Sequence, residues 1–378
     1  MRARAHRTAR RAAWLAGAFV LLLAPAAAPQ GANLPAPENV DELAGRASRS
    51  VVTVFAQRTE RRAKPIPGQS ATRVYTRVGS GVAVQESSIL TTASVVLGAE
   101  HVFVRTSNGL QVEAQPVGLD LVFNVAVLRV PDLRLPWLPR AEQAAQLGDR
   151  VIAVGTSYRA QSTQSVGTVE YIYREPRTSL LQLTNIVYPG NSGGAALNTR
   201  GELVGIVQGE LGSPEIGSNW PRAERRPCGM SFVMPVGEVW PVYESLSRDG
   251  RMPHGYLGVS TRAEVVRSEV DNAEIGLGAR VEDVQPGGPA ARAGLRRGDL
   301  IVGFESERVE YPEQLARWVA ETPPGRMVEL VWARGDERRS GRTSLAESRD
   351  SLPQWAVGGL HWAPAPRPAP VTSNDQRR

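Results

Sequence analysis

The sharpest chemical feature of the 378-residue sequence is a serine among glycines in Tyr188–Gly194, which runs Tyr-Pro-Gly-Asn-Ser-Gly-Gly. Glycines permit the tight turn that would present the hydroxyl of Ser192 to a substrate. The same turn could aim the backbone N–H groups of Gly190 and Ser192 at one point, which is what an oxyanion hole requires. Taken alone, such a run is more often an ordinary turn than a nucleophile, so its surroundings must decide.

Other motifs flank the serine loop in a fixed order along the chain. Gly79–Val84, Ile89–Val96 and Asn124–Val130 precede it, and the strand-like Ser231–Pro235 follows it. In sequence and spacing, this series resembles the trypsin-like protease domain of the HtrA/DegP family over roughly residues 40–245. The resemblance implies two six-stranded β-barrels with the catalytic site between them.

The same resemblance shows where this sequence departs from the family's catalytic residues. Ser94 stands where the family has its histidine, Asn124 stands where it has its aspartate, and only Ser192, the nucleophile position, is kept. A serine hydroxyl is a weak nucleophile without a neighbouring base, and losing the histidine alone typically lowers turnover about 10⁶-fold. We therefore expect a serine-protease homologue without useful proteolytic activity, although roughly 10³-fold acceleration over water could survive.

An active serine endopeptidase with an unrecognised base is the alternative, and it needs a substitute for the missing histidine. His101 falls on the next predicted strand, seven positions past the missing histidine, and Asp120 lies four residues before Asn124. Neither spacing places the side chain beside Ser192, and His254 lies beyond the protease-like segment. A third interpretation is that the motifs only keep the barrels folded and Ser192 has no role.

A second module begins near residues 251–255. It contains Ala293–Asp299, a helical pattern at Pro312–Ala320 and a strand at Met327–Ala333, and it resembles the PDZ domain attached to HtrA-family proteases. Such domains bind an extended peptide as an added strand and hold its terminal carboxylate with backbone N–H groups. The alternative is an occluded groove used only for packing. The resemblance assigns the carboxylate loop to Tyr256, Leu257, Gly258 and Val259.

Short β-branched runs divided by turns must position these residues. A helix is predicted at Asp41–Ser50, Pro131–Pro139 joins two β lobes, and Gln57–Thr76 and Gly209–Gly229 are predicted surface loops. Many short runs favour barrels over βαβ units. This agrees with the implied fold, a mainly β trypsin-like double β-barrel followed by a PDZ domain, itself a small α+β barrel. Strands are predicted at Val51–Ala56, Gly81–Val84, Val102–Thr106, Val125–Val130, Arg150–Val154, Thr163–Ile172, Leu180–Leu183, Leu203–Val207 and Ser231–Met234.

The first 28 residues have the order of a secretory signal peptide. Five arginines precede the apolar run Trp14–Leu23, and small residues follow at Ala24–Ala28. An uncleaved membrane anchor is the alternative. The predicted organisation is a signal peptide (1–28), a protease-like domain (29–250), a PDZ domain (251–348) and a proline-rich disordered tail (349–378), in the periplasm or cell envelope of a bacterium.

The net charge of +6 and the residue counts limit the partners. Removing the five arginines of the signal segment leaves only +1, and no basic stripe with interleaved aromatic residues remains, so nucleic acid is not predicted. One cysteine, Cys228, and four histidines make a structural zinc cluster improbable, and no metal or cofactor is predicted. The expected partners are peptide C-termini or unfolded polypeptides. A homo-oligomer stays open, because family trimers use N-terminal aromatic contacts and residues 29–54 contain no aromatic residue.

Overall fold

The computed structural model describes residues 40–61, 70–157, 159, 161–174, 179–209, 231–267 and 274–348. The predicted signal peptide, Cys228 and the proline-rich tail lie outside the described residues, as does all but the first residue of the predicted loop Gly209–Gly229. None of the helices in the described part of the chain has the length and apolar character that crossing a bilayer requires.

The first barrel follows helix α1 (Val40–Ala47) and a 3₁₀ turn at Ser48–Ser50. Its strand order is β5-β4-β1-β2-β3-β7-β6. Only Ala114 separates β5 from β6, so the two ends of this sheet are one bent strand, and the predicted count of six holds when that strand is counted once. The strands are β1 (Val51–Arg61), β2 (Thr72–Gln85), β3 (Ser88–Thr91), β4 (His101–Arg105), β5 (Gln111–Glu113), β6 (Gln115–Asp120) and β7 (Val125–Arg129), with helix α2 (Ala93–Val96) after β3.

The second barrel is closed by strand pairing in the order β10-β13-β12-β11-β8-β9. Side chains from both barrels and from α1 share one continuous apolar core, so the two barrels pack directly against each other at the seam. Pro131–Pro139 contains no helix or strand, which confirms it as the connection between the lobes. The strands are β8 (Arg150–Thr156), β9 (Ser162–Arg174), β10 (Ser179–Leu183), β11 (Ala195–Leu197), β12 (Leu203–Gly209) and β13 (Ser231–Pro235).

The prediction that Gln57–Thr76 is a surface loop was wrong at both ends. Strands β1 and β2 pair continuously as far as Arg61 opposite Thr72. The guanidinium of Arg58 stacks over the ring of Tyr75, and Arg58 and Arg73 both pair with Glu60. Polar composition misled the prediction, because a two-stranded ribbon that projects into water can carry charged side chains on both faces.

Helix α3 (Val236–Asp249) has no counterpart among the predicted elements. Its residues Val239, Val242 and Leu246 are buried in the shared core of the two barrels. Pro241 lies inside the helix and lowers its intrinsic propensity, but packing of the apolar face overrides that preference. The helix ends at Gly250, whose φ of 72° is the left-handed conformation that glycine adopts readily.

The PDZ-like module has its own apolar core. Its main sheet has the order β15-β16-β17-β19-β20 with β18 paired to β17, and a small sheet joins β14 to β21. The predicted helix and strand of this module are confirmed as α5 and β19. The elements are β14 (Gly255–Tyr256), β15 (Val259–Arg267), β16 (Glu274–Val284), α4 (Pro289–Ala293), β17 (Leu300–Phe304), β18 (Glu307–Arg308), α5 (Pro312–Glu321), β19 (Met327–Arg334), β20 (Glu337–Ser344) and β21 (Ala346–Glu347).

The buried Asp299 explains why the Ala293–Asp299 run is so distinctive. Its carboxylate accepts two hydrogen bonds from the guanidinium of Arg334, at 2.7 and 2.8 Å, and one from the amide of Arg296 at 2.7 Å. This pairing ties the turn after α4 to strand β19, so the conspicuous motif has a structural function in the module.

Candidate catalytic cleft and peptide groove

The serine loop between β10 and β11 is held in place by the buried side chain of Asn191. Its amide nitrogen Nδ2 donates to Thr163 Oγ1 at 2.5 Å and to the carbonyl of Thr156 at 3.3 Å, while its Oδ1 accepts from the amide of Tyr188 at 2.5 Å. The loop is thus attached to β8 and β9, and its conformation depends on the second barrel.

Ser80 fastens the same loop to the first barrel. Its amide donates to the carbonyl of Ser192 at 2.8 Å, and its hydroxyl donates to the carbonyl of Gly190 at 2.6 Å. The hydroxyl of Ser80 also accepts from the amide of Thr156 at 2.8 Å. The motif around Gly79–Val84 therefore supports the serine loop across the seam between the barrels.

The hydroxyl of Ser192 is partly exposed at this seam. It makes no hydrogen bond to another described residue, and in the same part of the chain neither Ser192 nor Gly190 uses its backbone N–H as a donor. Two free amides beside a serine hydroxyl are what the predicted oxyanion hole needs. The assignment of this hole to Gly190 and Ser192 stays a prediction.

Ser94 and Asn124 are brought together, but they form no proton relay. The side-chain oxygen of Asn124 accepts from the amide of Ser94 at 2.8 Å, and its amide nitrogen donates to Gln208 Oε1 at 2.7 Å. The hydroxyl of Ser94 turns back to Thr92 Oγ1 at 3.2 Å. Asn124 has a φ of 51°, a left-handed conformation that asparagine tolerates better than most residues. The site is a chain of neutral hydroxyl and amide groups.

Gln208 was not among the predicted site residues, because it follows the predicted strand Leu203–Val207 and belongs to no motif. Arg77 was missed as well. Its guanidinium donates to the carbonyls of Ser94 and Leu97 and so satisfies the end of α2. Both residues reach the site through contacts between segments that are distant in sequence, so no local sequence pattern indicates them.

Gly193 is required for the approach of the loop to the first barrel. Its φ is 87°, and a Cβ added there would lie 2.1 Å from the carbonyl oxygen of Ser80 and 2.5 Å from Thr91 Oγ1. We expect Gly193→Ala to lower the free energy of unfolding by about 2–5 kcal/mol, combining backbone strain with steric overlap. Urea unfolding measures this loss.

Gly148 offers a matched control for that prediction. Its φ is 86°, and apart from Gly148 and its two neighbours in the chain no described atom lies within 4 Å of the position where a Cβ would be added. Gly148→Ala should therefore show only the backbone cost of about 1–2 kcal/mol. Equal losses in the two variants would contradict the steric argument at Gly193.

Neither of the two histidines in the described part of the chain supplies a base to Ser192. His101 lies on β4 and is exposed, with Glu113 3.2 Å away. His254 was predicted to lie apart from the protease-like segment, yet its ring pairs with the buried Asp120 of β6 through Nε2. Its Nδ1 lies 2.8 Å from the carbonyl oxygen of Ala320. Ser192 is not among the contacts of either ring in the described part of the chain.

The surroundings of His254 favour its charged form. Both ring nitrogens face oxygens that only accept hydrogen bonds, and only the imidazolium carries an N–H on each. Burial lowers the pKa of His254, but the hydrogen bond and negative charge of Asp120, helped by the Ala320 carbonyl and the Glu321 carboxylate, outweigh burial, so that the pKa lies above its ordinary value. The pair joins the protease-like barrels to helix α5.

The predicted carboxylate loop lies at the start of β15. Gly258 has a φ of 78°, Leu257 is buried in the core of the module and Tyr256 is exposed. The carbonyls of Leu257 and Gly258 accept from Ala290 and Gln285, each at 2.9 Å. Their own N–H groups have no acceptor among the described residues, as an anion-binding loop would require. The role of Tyr256–Val259 stays a prediction.

A cavity of about 840 Å³ lies between the protease-like barrels and the groove of the PDZ-like module. The groove side is formed by β15 and α5, and the opposite side by residues after β6 and by β12 and β13. Among the described residues, no group of three or more His, Cys, Asp or Glu side chains could hold a metal ion. Lining residues include Leu121, Val122, Phe232, Thr261, Ala316 and Ala320.

Comparisons with known proteins agree with this architecture. A family described as a trypsin-like peptidase domain matches residues 79–206, and one described as a PDZ domain matches residues 280–334. Among solved structures, the chain is similar to the serine endoprotease from Yersinia pestis, with 29% identity, a TM-score of 0.58, and coverage of 83% of this chain and 99% of that one. It is also similar in fold to the HtrA-type protease AlgW with decapeptide, at 23% identity and a TM-score of 0.60, over 82% of this chain and 99% of that one.

Curated relatives extend the similarity to most of the chain. It is 31% identical over 297 residues to a probable periplasmic serine endoprotease DegP-like from Halomonas elongata, covering 76% of this chain and 60% of that relative's length. It is 30% identical over 321 residues to the putative serine protease HhoA of Synechocystis sp., covering 78% of this chain and 77% of the relative. The serine endoprotease DegS of Escherichia coli is 30% identical over 280 residues, with 71% and 77% covered. The chain therefore belongs to the HtrA family of DegP- and DegS-like serine endoproteases, in which a trypsin-like peptidase domain is followed by a PDZ domain.

Proposed function

We propose that this chain is a catalytically inactive member of the family that binds peptide C-termini or unfolded polypeptides through its PDZ domain. The observation that carries the proposal is the neutral chain Ser94–Asn124–Gln208 at the two missing triad positions. None of these groups accepts a proton near neutral pH, so Ser192 lacks the base that would activate its hydroxyl.

The binding half of the proposal is supported by the form of the second module. Strand β15 lies at the edge of its sheet, where an extended peptide can add as a further strand. The free N–H groups of Leu257 and Gly258 lie at the start of that strand. We assign the protease-like domain to residues 29–250 and the PDZ domain to residues 251–348.

A location in the cell envelope is part of the same proposal. Two relatives are named as probable periplasmic serine endoproteases, and residues 1–28 have the order of a secretory signal.

The alternative is a serine endopeptidase of low activity that uses Ser192 with an unrecognised base. The observation that favours it is the serine loop itself, which keeps two free amides beside the hydroxyl and is held by Ser80 and Asn191. Such a site could still stabilise an oxyanion, with roughly 10³-fold acceleration over water.

A hydroxyl-reactive phosphonate probe separates the two functions. We expect the full chain to show no stoichiometric labelling and no hydrolysis of casein above that of Ser192→Ala, because the hydroxyl is not activated. Stoichiometric labelling that disappears in Ser192→Ala would contradict the inactive assignment and support the endopeptidase. Fluorescent peptides with free C-terminal carboxylates test the binding half in the same preparation.

A further inference from the structure

The cavity between the two domains combines a peptide groove with an apolar wall from the protease-like domain. On the groove side, Pro312, Ala316 and Ala320 line it along the whole length of α5. Their spacing of four residues places them on one face of the helix. Small side chains on this face leave room for a bulky side chain of a bound peptide.

The opposite wall is formed by the segment that follows β6. Leu121 and Val122 line the cavity and are half-buried, and Phe232 of β13 contributes an aromatic side chain. A volume of about 840 Å³ is at the upper end of the range for sites that enclose a small ligand. A peptide added along β15 would therefore direct alternate side chains between α5 and this wall.

The cavity is lined by one acidic and one basic side chain, Glu313 and Arg317 of α5, and they differ in their ion pairing. Arg317 pairs with Glu321, its Nε lying 2.7 Å from the carboxylate. Glu313 is exposed on the same helix and has no ion pair among the described residues. A lone carboxylate at the groove favours a peptide that presents a basic side chain.

The pair of Asp120 and His254 links the two walls. Asp120 immediately precedes Leu121 and Val122, and the carbonyl that accepts from the other side of His254 belongs to Ala320, a cavity residue of α5. His254 is thus a positioning residue for the cavity, because it connects one wall to the other without lining it.

We propose that the peptide site is shared by both domains. Leu121 and Val122 contact the bound peptide and select a bulky apolar side chain near its C-terminus, and Glu313 selects a basic one. This inference rests on the proposed function of the PDZ domain in peptide binding. It assigns to the inactive protease-like domain a role in specificity.

The test uses the full chain and a positional-scanning library of ten-residue peptides, each with fluorescein at its N-terminus and a free C-terminal carboxylate. Fluorescence anisotropy should select peptides with Phe, Leu or Met among the last four residues together with Lys or Arg. For the best of them, Leu121→Ala and Val122→Ala should each weaken binding about three- to tenfold, since each removes buried apolar area from the complex.

Control variants distinguish failure of the shared site from failure of the proposed function. Leu110→Ala, at a position 50% exposed in the same barrel, should leave the affinity unchanged, and Glu313→Lys should reverse the preference for a basic residue. If the wild-type chain binds peptides but Leu121→Ala and Val122→Ala match it, the shared site is wrong and the proposed function stands. If no peptide binds, or if Ala316→Trp, which fills the groove, binds like the wild type, the proposed function itself is wrong.

Discussion

The double variant Ser94→His/Asn124→Asp is expected to hydrolyse casein about 10²–10⁴-fold faster than the wild-type chain, the usual contribution of a positioned general base. The expectation rests on the contacts that hold the serine loop. The loop of Ser192 is held by Ser80 and Asn191, and neither is altered in this variant. A base introduced at residue 94 would therefore meet a nucleophile that is already presented.

The hydrogen bonds around Asn124 are compatible with its replacement by aspartate and with a histidine at residue 94. Its side-chain oxygen already accepts from the amide of residue 94 at 2.8 Å, and a carboxylate has further lone pairs for the Nδ1–H of an imidazole. Gln208, which now accepts from Asn124 at 2.7 Å, can turn its amide and donate to the new carboxylate. The turn gives up the longer hydrogen bond of 3.4 Å from the Gln208 amide to the carbonyl of Ile206, but residue 124 keeps both of its side-chain partners when the charge changes.

Arg77 is expected to limit the gain in casein hydrolysis by the double variant. Its guanidinium donates to the carbonyl of residue 94, and a neighbouring cation disfavours the protonated imidazole that forms during catalysis. Adding Arg77→Gln should therefore raise the pKa on the acid side of the kcat/KM profile and increase kcat/KM on the plateau above that pKa.

Casein hydrolysis and phosphonate labelling measure this result, with Ser192→Ala in the double variant as the control that must abolish both. If the double variant folds like the wild type but neither cleaves casein nor reacts with the phosphonate, the serine loop does not adopt a productive geometry. The prediction that the hydroxyl of Ser192 is positioned for nucleophilic attack would then be wrong.

The variant His254→Ala is expected to lower the free energy of unfolding by about 3–5 kcal/mol, because it leaves the carboxylate of Asp120 buried without its partner. The side chains of His254 and Asp120 are only 8% and 2% exposed. The carbonyl of Ala320 would lose its hydrogen bond in the same step. A loss of this size is large compared with typical single substitutions.

The stability of the wild-type chain should also depend on pH through His254. Its pKa is raised in the folded chain because the carboxylate of Asp120, with Glu321 nearby, outweighs the effect of burial. The stabilisation is therefore complete below the ordinary histidine pKa of about 6.5 and is lost as the pH rises through the raised folded-state value. We expect the free energy of unfolding to fall over that interval, and the fall to be smaller in His254→Ala.

Urea unfolding at a series of pH values measures both effects. His101 is the matched control, because it faces Glu113 with both side chains 61% exposed, and His101→Ala should cost less than about 1 kcal/mol. A double-mutant cycle with Asp120→Ala isolates the pair. Equal losses for His101→Ala and His254→Ala, or additivity in the cycle, would show that the buried pair contributes nothing specific.

Much of this protein could be predicted from short stretches of sequence. The order of the motifs around Ser192 predicted the trypsin-like barrels, and the run Ala293–Asp299 with its helix and strand predicted the PDZ domain. The predicted replacement of the family's histidine and aspartate by Ser94 and Asn124 also rests on short motifs. Each of these features depends on residue types within a turn or a strand, where β-branched runs and glycines act directly on the backbone.

Only the tertiary structure shows which residues Asn124 and His254 contact. Gln208 meets Asn124 across 84 positions of sequence, and His254 meets Asp120 across 134. Helix α3 forms despite Pro241 because the shared core covers its apolar face. These contacts depend on burial and on strand order in the closed barrels, which no pattern of neighbouring residues encodes. The sequence by itself therefore determined the family and predicted the loss of the triad, whereas folding determined the neutral chain Ser94–Asn124–Gln208 and the cavity between the barrels and the PDZ-like module.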